Sequence, residues 1–329
     1  MPSFSPQPDL SICIVSWNVR GFLRDCLLSI RRSRPEIDYE VLVVDNCSRD
    51  GTGDMVANDF PETVLIRNDR NRGFAAASNQ AIRSGRGRYL LLLNPDTLVR
   101  EGALEEMVGF LDRRPTAGGA GPRLLNPDGS LQPSVRAFPT MAAAFQRFTI
   151  LGSLGLFRRA RSDYLQTDFD YDRPAVVDQP MGAALFLRRE ALAEVGILDE
   201  GFFLYFEEVD LCRRLTRSGR SLWYNPEATI VHRGGASTGQ QGARALFFFF
   251  RSQFRYFEKV SGRAGAGAFK LIFKPLAVLD IYWSLILTGL ALAGGRLAGQ
   301  SPERREKRRI RARLKWDFLS RYLWKFLAL

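Results

Sequence analysis

The sequence predicts an α/β protein with a mainly parallel central sheet. Between residues 10 and 93, continuous apolar runs alternate with amphipathic stretches. Runs that are apolar throughout indicate strands buried on both faces, which is typical of parallel sheets covered by helices. With 329 residues, of which 46% are hydrophobic, the chain is also long enough to form a sizeable core.

Seven elements are expected in this first part of the chain. Strands are predicted at residues 11–16, 40–45, 63–67 and 89–93, with helices at 21–32, 51–59 and 74–84 between them. In sheets of this kind ligands bind beyond the carboxyl ends of the strands. The residues at or just after these ends are therefore the first candidates for a site, and they are Trp17, Asn18, Asp45, Asn46, Asn94, Pro95 and Asp96.

The pattern becomes irregular between residues 118 and 178. Residues 126–129, with the sequence NPDG, indicate a turn, and residues 161–174 are expected to form a loop. We interpret this region as insertions that shape one side of the site. Regular structure is expected again at 183–187, as a strand, and at 189–195 and 207–218, as helices.

Glu207 and Glu208 open the last of these helices. Carboxylates in a first helical turn are stabilised by the positive end of the helix dipole. Such a capping role and a functional role both account for the EEVD tetrapeptide at 207–210, and spacing alone leaves both open.

The composition changes past residue 262, where helices that contact a membrane are expected. Residues 276–293 are apolar except for Asp280, Ser284 and Thr288, which would form one polar stripe on a helix. The stretch is barely long enough to span a bilayer, so interfacial or re-entrant placement competes with spanning. The predicted division is a tail at 1–9, an α/β domain at 10–262 and a membrane-associating helical region at 263–329.

A surplus of positive charge favours an anionic partner. The chain has 47 Lys and Arg against 35 Asp and Glu, a formal charge of +12, and residues 304–315 are strongly basic. Trp316, Leu319, Leu323 and Phe326 follow at helical spacing, which is typical of a helix on an anionic membrane surface. No nucleic acid is expected, because these apolar side chains share one face and are not interleaved as stacking platforms. A basic helix packed on the protein is the alternative.

The cysteines and the N-terminus favour a location inside the cell. Cys13, Cys26, Cys47 and Cys212 show no CxxC spacing, and residues 1–9 lack a basic region followed by an apolar stretch. This pattern favours a reducing compartment and gives no secretory signal. Together with the C-terminal helices, it predicts a protein at the cytoplasmic face of the cell membrane.

Seven motifs occur in order along roughly residues 10–260. They are SICIVSWN, VVDNCSRDGT, NRGFAAASNQ, LLLNPDT, MGAALFLRRE, LDEGFFLYFEEVDLCRRLTRSG and ATIVHRGGAST. Together they resemble the family 2 glycosyltransferases, particularly the bacterial rhamnosyltransferase-like members. The resemblance implies the GT-A nucleotide-sugar-binding fold and an inverting transfer of a sugar from a nucleoside-diphosphate donor.

The resemblance also implies a divalent metal, Mn²⁺ or Mg²⁺, held by Asp96 and His232. Carboxylate oxygen suits both ions, and a nitrogen ligand tilts the selection toward Mn²⁺. The family often has a DxD motif at this turn, whereas this chain has Asn94, Pro95 and Asp96, so the metal site should be weaker or differently completed. A capping aspartate and a structural histidine are the alternatives.

The acidic motif implies a general base at Glu208, with Glu207 and Asp210 as alternatives. The family commonly has Asp where this chain has Glu208, and the longer side chain must be positioned differently to deprotonate an acceptor. Neighbouring carboxylates would raise the pKa of one of them, which suits a base that works near neutrality.

The resemblance gives a set of donor-binding residues. They are Ser16, Asn18, Asp45, Arg72, Gly73, Asn94, Asp96, Gly182, Ala183 and Arg251. Asp45 would accept a hydrogen bond from the pyrimidine ring, Arg72 would approach the base or phosphates, and Gly73 would let the backbone come close. Gly182 would border the sugar and Arg251 would be a secondary phosphate ligand. An Asx turn at Asp45 and plain packing at Gly182 are the alternatives.

Rhamnose from dTDP-rhamnose is the expected donor sugar, and a UDP-hexose is the alternative. A nucleotidyltransferase is disfavoured, because VSWNVRG after the first strand lacks the glycine-rich basic loop that binds triphosphate. A non-catalytic scaffold that recruits partners to membranes is the alternative from another class. The C-terminal helices predict a lipid-linked saccharide acceptor in cell-envelope polysaccharide synthesis, and the oligomeric state stays open.

Overall fold

The structure, a computed structural model, describes residues 7–235, 241–297 and 302–329, and their side chains except those of 293–297 and 302–305. The chain forms two compact units. One comprises Met1–Phe138 with Asp168–Gly239, and the other comprises Pro139–Thr167 with Gln240–Leu329. The boundary predicted at residue 262 separates regions by function, whereas these two units are defined by contacts within the chain. That boundary therefore stays a prediction.

The strands of the described chain all lie in the first unit. They are β1 (Leu10–Ser16), β2 (Tyr39–Asp45), β3 (Val64–Arg67), β4 (Tyr89–Leu93), β5 (Thr97–Val99), β6 (Ala117–Leu125), β7 (Val135–Arg136), β8 (Ala175–Val176), β9 (Gln179–Pro180), β10 (Ala184–Arg188) and β11 (Ser221–His232).

The helices are divided between the units, with α5, α6, α7, α10 and α11 in the second. They are α1 (Arg20–Ser33), α2 (Thr52–Asp59), α3 (Phe74–Ser84), α4 (Ala103–Asp112), α5 (Met141–Phe148), α6 (Ile150–Ser153), α7 (Arg158–Leu165), α8 (Arg189–Val195), α9 (Glu207–Arg217), α10 (Ala243–Leu297) and α11 (Pro302–Ala328).

A nine-stranded sheet, as far as the described residues extend, forms the centre of the first unit. Its order is β3-β2-β1-β4-β10-β6-β11-β5, and β8 pairs with β11. Strands β3, β2, β1 and β4 are parallel, whereas β10 runs antiparallel to both of its neighbours. The register places Ser16 opposite Asp45, so β1 and β2 end side by side.

Both faces of this sheet are covered, as the continuous apolar runs predict. Ile12 and Ile14 of β1 pack in one layer with Leu23 and Leu27 of α1. Cys13 and Val15 belong to the opposite layer, which includes side chains of α3, α8 and α9. The alternation of β1 side chains between two apolar layers explains why the strand is apolar at every position.

The expectation of irregular structure at residues 118–178 is wrong for β6, a central strand of the sheet. Its sequence, AGGAGPRLL, contains none of the β-branched or aromatic side chains that indicate a strand. The glycines are explained by close packing. A Cβ on Gly119 would lie 2.5 Å from the Phe186 carbonyl oxygen of β10, and a Cβ on Gly121 would overlap the Pro180 side chain.

The predicted loop at 161–174 is likewise partly helical, because α7 extends to Leu165. In the second unit, phenylalanine side chains supply much of the core. The ring centroids of Phe145 and Phe269 lie 5.2 Å apart, and those of Phe250 and Phe326 lie 5.0 Å apart. The long helix α10 changes direction at Gly262, whose φ of 73° suits glycine.

We predict that Gly119→Val lowers the free energy of unfolding by about 1–3 kcal/mol, the usual range for overpacking. The reason is the close approach of the Phe186 carbonyl. Urea unfolding followed by circular dichroism measures the change. Gly109→Ala in α4 is the control, because its Cβ meets only the far end of the long Arg113 side chain and alanine is favoured in a helix interior. Equal stability of Gly119→Val and the wild type would contradict the close packing at β6.

Candidate active site

A cavity of about 300 Å³ lies where β1, β4 and β11 end and α9 begins. About half of its lining residues are among those expected from the sequence. The lining residues are Val15, Phe74, Leu92, Asn94, Pro95, Asp96, Met181, Gly182, Ala183, Leu204, Tyr205, Glu207, Glu208, His232 and Gly235. Asp96, His232 and the two glutamates therefore share one cavity, although they are far apart in the sequence.

Asp96 and His232 face each other in this cavity. Asp96 follows β4, and His232 is the last residue of β11, which pairs with β5 immediately after Asp96. His232 Nε2 lies 3.5 Å from Asp96 Oδ1, and both side chains are largely buried. The backbone N–H of Arg233 donates to the Asp96 carbonyl at 3.0 Å, which holds the two strand ends together.

Gln132 determines which nitrogen of His232 faces Asp96. The Gln132 amide nitrogen donates to the His232 carbonyl at 3.2 Å and to Asn126 Oδ1 at 2.9 Å. Its Oε1 must therefore be the atom that lies 2.7 Å from His232 Nδ1. Since an amide oxygen only accepts, Nδ1 carries a proton, and in the neutral imidazole the Nε2 lone pair is then directed toward Asp96.

This arrangement suits a divalent cation. In a neutral imidazole with Nδ1 protonated, Nε2 and the Asp96 carboxylate are two acceptors 3.5 Å apart, so a proton or a cation between them is favoured. The described residues contain no group of three or more His, Cys, Asp or Glu side chains that could hold a metal. Asp96 and His232 would thus supply two ligands, and waters and substrate phosphates would complete the shell.

Asn94 stands where the DxD motif has its first carboxylate, and its backbone is bonded on both sides of the turn. Its N–H donates to the Ala183 carbonyl at 2.9 Å, and its carbonyl accepts from Thr97 Oγ1 at 2.7 Å. These bonds fix the turn between β4 and β5. As a result, this turn directs Asp96 into the cavity.

Strained backbone precedes the acidic pair. Tyr205 and Phe206 both have φ of 68°, in the left-handed region that non-glycine residues rarely adopt. Such strain costs free energy and is concentrated at functional sites. It places Glu207 and Glu208 in the first turn of α9, at the edge of the cavity.

The two glutamates are poorly satisfied. Within the described chain, Glu207 Oε2 and Glu208 Oε2 are buried atoms that have no hydrogen-bond partner. Burial raises the pKa of Glu207 well above its usual value, and the Glu208 charge raises it further. Burial also raises the pKa of Glu208, although backbone N–H groups of α9 lower it in part.

Glycine at position 182 makes room for Glu208. A Cβ on Gly182 would lie 3.0 Å from Glu208 Cγ, and Gly182 also lines the cavity, while its contact with a sugar stays a prediction. Asp210 is placed differently. It forms an ion pair with Arg214, with 2.9 Å between Oδ2 and Nε, and it is absent from the cavity lining.

The candidates for nucleotide binding lie at the ends of β1 and β2, outside this lining. Ser16 is fully buried, and its hydroxyl oxygen has no partner among the described residues. Asp45 Oδ1 accepts from the Ser48 N–H at 3.0 Å, which is the expected Asx-type contact. Asn18 has a φ of 53°, and its Oδ1 accepts from the Arg49 N–H at 2.7 Å.

Asn46 holds the loop at 68–73 against these strand ends. Its amide nitrogen donates to the Gly73 carbonyl at 3.2 Å, and its Oδ1 accepts from the Arg72 N–H at 2.9 Å. The Arg72 guanidinium pairs with Asp69 at 3.2 Å and is partly exposed. Gly73 is required sterically, since its φ is 85° and a Cβ would lie 2.6 Å from the Phe203 carbonyl oxygen.

Arg251 lies exposed on α10 in the second unit, and its predicted phosphate contact stays a prediction. The sequence analysis missed Gln132 and Tyr205. Gln132 gave no signal, because it lies in the region interpreted as an insertion. Tyr205 lies in a named motif, yet its left-handed backbone is invisible in the sequence.

Comparison with known proteins decides the family. Residues 11–194, more than half of the chain, match the family model described as Glycosyl transferase family 2. The chain belongs to glycosyl transferase family 2. The resemblance drawn from the seven motifs is therefore confirmed.

Relatives of this family 2 glycosyltransferase include two rhamnosyltransferases. It is 30% identical over 264 residues to the N-acetylglucosaminyl-diphospho-decaprenol L-rhamnosyltransferase of Mycobacterium tuberculosis (strain CDC 1551 / Oshkosh), with 77% of this chain and 80% of the relative covered. It is 26% identical over 170 residues to rhamnosyltransferase WbbL of Escherichia coli (strain K12), with 51% of this chain and 61% of the relative covered.

Solved structures confirm the GT-A-like fold. The mannosyltransferase PcManGT from Pyrobaculum calidifontis, in complex with GDP-Man and Mn²⁺, matches with a TM-score of 0.51 and 18% identity over 95% of this chain and 87% of that one. GalNAc-T7 with UDP, GalNAc and Mn²⁺ matches with a TM-score of 0.50 and 15% identity over 69% of this chain and 44% of that one.

We predict that Gln132→Leu weakens Mn²⁺ binding by about 10- to 100-fold, the usual effect of removing a partner that orients a metal-binding histidine. Electron paramagnetic resonance of free Mn²⁺, titrated in the presence of dTDP, measures the affinity. Gln132→Glu is the control, because its carboxylate still accepts from His232 Nδ1. Unchanged Mn²⁺ affinity in Gln132→Leu would show that this hydrogen bond does not orient a ligand.

We also predict that Glu207→Gln stabilises the protein near neutral pH. Because the folded-state pKa of Glu207 is raised above 4.5, its ionisation costs stability as the pH rises through the folded-state pKa. The stability gain in Glu207→Gln should thus be smallest at acidic pH and grow toward neutrality, as measured by urea unfolding over a pH series.

Glu194 provides a control of opposite sign. Its ion pair with Arg220 lowers its pKa, so it contributes stability above its unfolded-state pKa that is lost as the pH falls. Glu194→Gln should therefore destabilise the protein at neutral pH and have a smaller effect in acid. The same pH trend in both variants would contradict the assignment of a raised pKa to Glu207.

Proposed function

We propose that the protein is an inverting glycosyltransferase that transfers L-rhamnose from dTDP-L-rhamnose to a lipid-linked N-acetylglucosaminyl-diphosphate acceptor. One observation carries the proposal: Glu208 has a buried oxygen without a partner, in the same cavity as the facing pair Asp96 and His232. A base and a site for diphosphate charge are the two parts that such a transfer needs.

Glu208 is assigned as the general base. Its carboxylate accepts the proton of the acceptor hydroxyl as the oxygen attacks the anomeric carbon of the donor. A raised pKa strengthens Glu208 as a base once it is ionised. Asp210 is the weaker alternative, because Arg214 already neutralises it. Glu207 lies beside Glu208, and a negative charge on one of these carboxylates makes ionisation of the other less favourable.

Asp96 and His232 are assigned to Mn²⁺ or Mg²⁺. When bound, the ion would neutralise the negative charge that develops on the leaving diphosphate. Asp96 offers a carboxylate oxygen from the β4–β5 turn, and His232 offers Nε2, which is the ring nitrogen left for a ligand when Nδ1 donates to Gln132. The Mn²⁺ in the two related folds supports this assignment.

The nucleotide is assigned to the adjoining ends of β1 and β2. The buried hydroxyl of Ser16 lacks a partner, and Asp45 lies opposite it in the register. Asn18, Arg72 and Gly73 are assigned to the same region, while Arg251 is assigned to the diphosphate by family resemblance. Gly182 and Ala183 border the sugar in the cavity.

The sugar and the acceptor are assigned through the relatives. Both named relatives are rhamnosyltransferases, and one acts, by its name, on N-acetylglucosaminyl-diphospho-decaprenol. The C-terminal helices agree with an acceptor in a membrane. One helical stretch of the described chain, Ala243–Leu292, is long and apolar enough to cross a bilayer by length and composition. We place the protein at the cytoplasmic face of the membrane, in cell-envelope polysaccharide synthesis.

We predict that Glu208→Gln lowers kcat by about 10²- to 10⁴-fold, the usual contribution of a general base. Donor affinity should be unchanged, since a base acts in the transition state. Transfer from dTDP-L-rhamnose to an N-acetylglucosaminyl-diphospho-lipid is assayed, with UDP-glucose and UDP-galactose in parallel. Donor binding is measured by calorimetry in the presence of Mn²⁺.

Asp210→Asn is the control variant. Removal of its charge should lower stability through the lost Arg214 ion pair and should affect kcat much less. A large loss of kcat in Asp210→Asn alone would move the base by two positions. Faster transfer from a UDP-hexose would contradict the sugar assignment, and absence of turnover with every donor would favour a non-catalytic scaffold.

A further inference from the structure

The second half of α10 exposes a broad apolar surface. In the most apolar stretch of 18 residues along the helix, which has a mean hydropathy of 1.7, only 11% of the residues are buried. Large side chains are exposed along one broad face of the helix, and they are Leu271, Ile272, Leu279, Tyr282, Trp283, Ile286, Leu287 and Leu290. A contiguous exposed surface of this kind indicates a binding partner.

The polar stripe of the same helix is directed inward, against α11. Lys315 of α11 lies 3.6 Å from Asp280 Oδ2, and its Nζ donates to Ser284 Oγ at 2.6 Å. Ser284 Oγ in turn donates to the Ile281 carbonyl at 2.9 Å, and Thr288 Oγ1 donates to the Ser284 carbonyl at 2.7 Å. The side-chain polar groups of this stripe are therefore satisfied inside the second unit.

Charge on α11 identifies the partner. Its exposed basic residues include Arg309, Arg311, Arg313, Arg321 and Lys325. The exposed side chains of Trp316 and Trp324 accompany them, at 60% and 81% exposure. Cations together with exposed tryptophan beside an apolar surface match the interface of an anionic bilayer, where the charges meet phosphates and the rings lie at headgroup depth.

We infer that α10 and α11 insert together into an anionic bilayer, and that the Asp280–Lys315 ion pair makes this insertion possible. Asp280 is the only charged residue in 276–293. An unpaired carboxylate opposes entry into lipid, whereas one paired with Lys315 leaves apolar side chains of residues 276–293 at the lipid boundary, with the exposed cations of α11 at headgroup depth. The inference rests on the membrane placement in the proposed function and is independent of the sugar chemistry.

The test is vesicle flotation of the full chain. Vesicles contain phosphatidylcholine with phosphatidylglycerol, and phosphatidylcholine alone measures the apolar contribution. Lys315→Met leaves Asp280 unpaired and should reduce partitioning on the order of a hundredfold, as insertion scales for aspartate imply. Arg311→Met is the charge-matched control on the same helix and should reduce partitioning only about fivefold. The double variant Asp280→Asn with Lys315→Met should recover partitioning to the level of Arg311→Met.

Two other outcomes would contradict the ion-pair inference or the membrane placement. If Lys315→Met matches Arg311→Met and the double variant brings no recovery, Lys315 is merely one more surface cation, and the ion-pair inference fails. If the wild-type chain does not float with either vesicle, the membrane placement itself fails. Circular dichroism and donor binding of each variant verify that the chain stays folded, so a folding defect is not taken for lost insertion.

Discussion

The hydrogen bond between His232 Nδ1 and Gln132 Oε1 is the interaction on which the site depends. It fixes the imidazole so that Nε2 faces Asp96 across 3.5 Å. Without it the ring could rotate or carry its proton on Nε2 in place of Nδ1, and the two strand ends would no longer present a pair of acceptors. The sheet supplies the rest, because β11 and β5 pair directly beside this contact.

The two sides of the cavity differ in their electrostatics. On one side, Asp96 and His232 are arranged to attract positive charge. On the other, Glu207 is buried and Glu208 is half-buried at the start of α9, and each has a buried oxygen without a partner among the described residues, so negative charge on this pair is costly. The strained backbone at Tyr205 and Phe206 holds this costly arrangement in place.

Much of the first unit was predictable from sequence, since strands buried on both faces are apolar at every position. Strand β6 was not predictable, because its glycines are needed where β10 and Pro180 pack closely against it, and this packing is visible only in the fold. The same limit applies to the site. Asp96 and His232 follow recognisable strands, whereas Gln132 acts through a contact 100 residues away in the chain. Likewise, the choice between Glu208 and Asp210 depends on Arg214, whose contact is a property of the folded helix.

The central claim is that Asp96 and His232 hold the cation that receives the leaving diphosphate beside Glu208. Anomalous diffraction at the manganese edge, from crystals grown with Mn²⁺ and dTDP, tests it most directly. We expect one strong peak within coordination distance of an Asp96 carboxylate oxygen, His232 Nε2 and a diphosphate oxygen. A nucleotide bound with its manganese elsewhere, or His232 turned away from the ion, would contradict it.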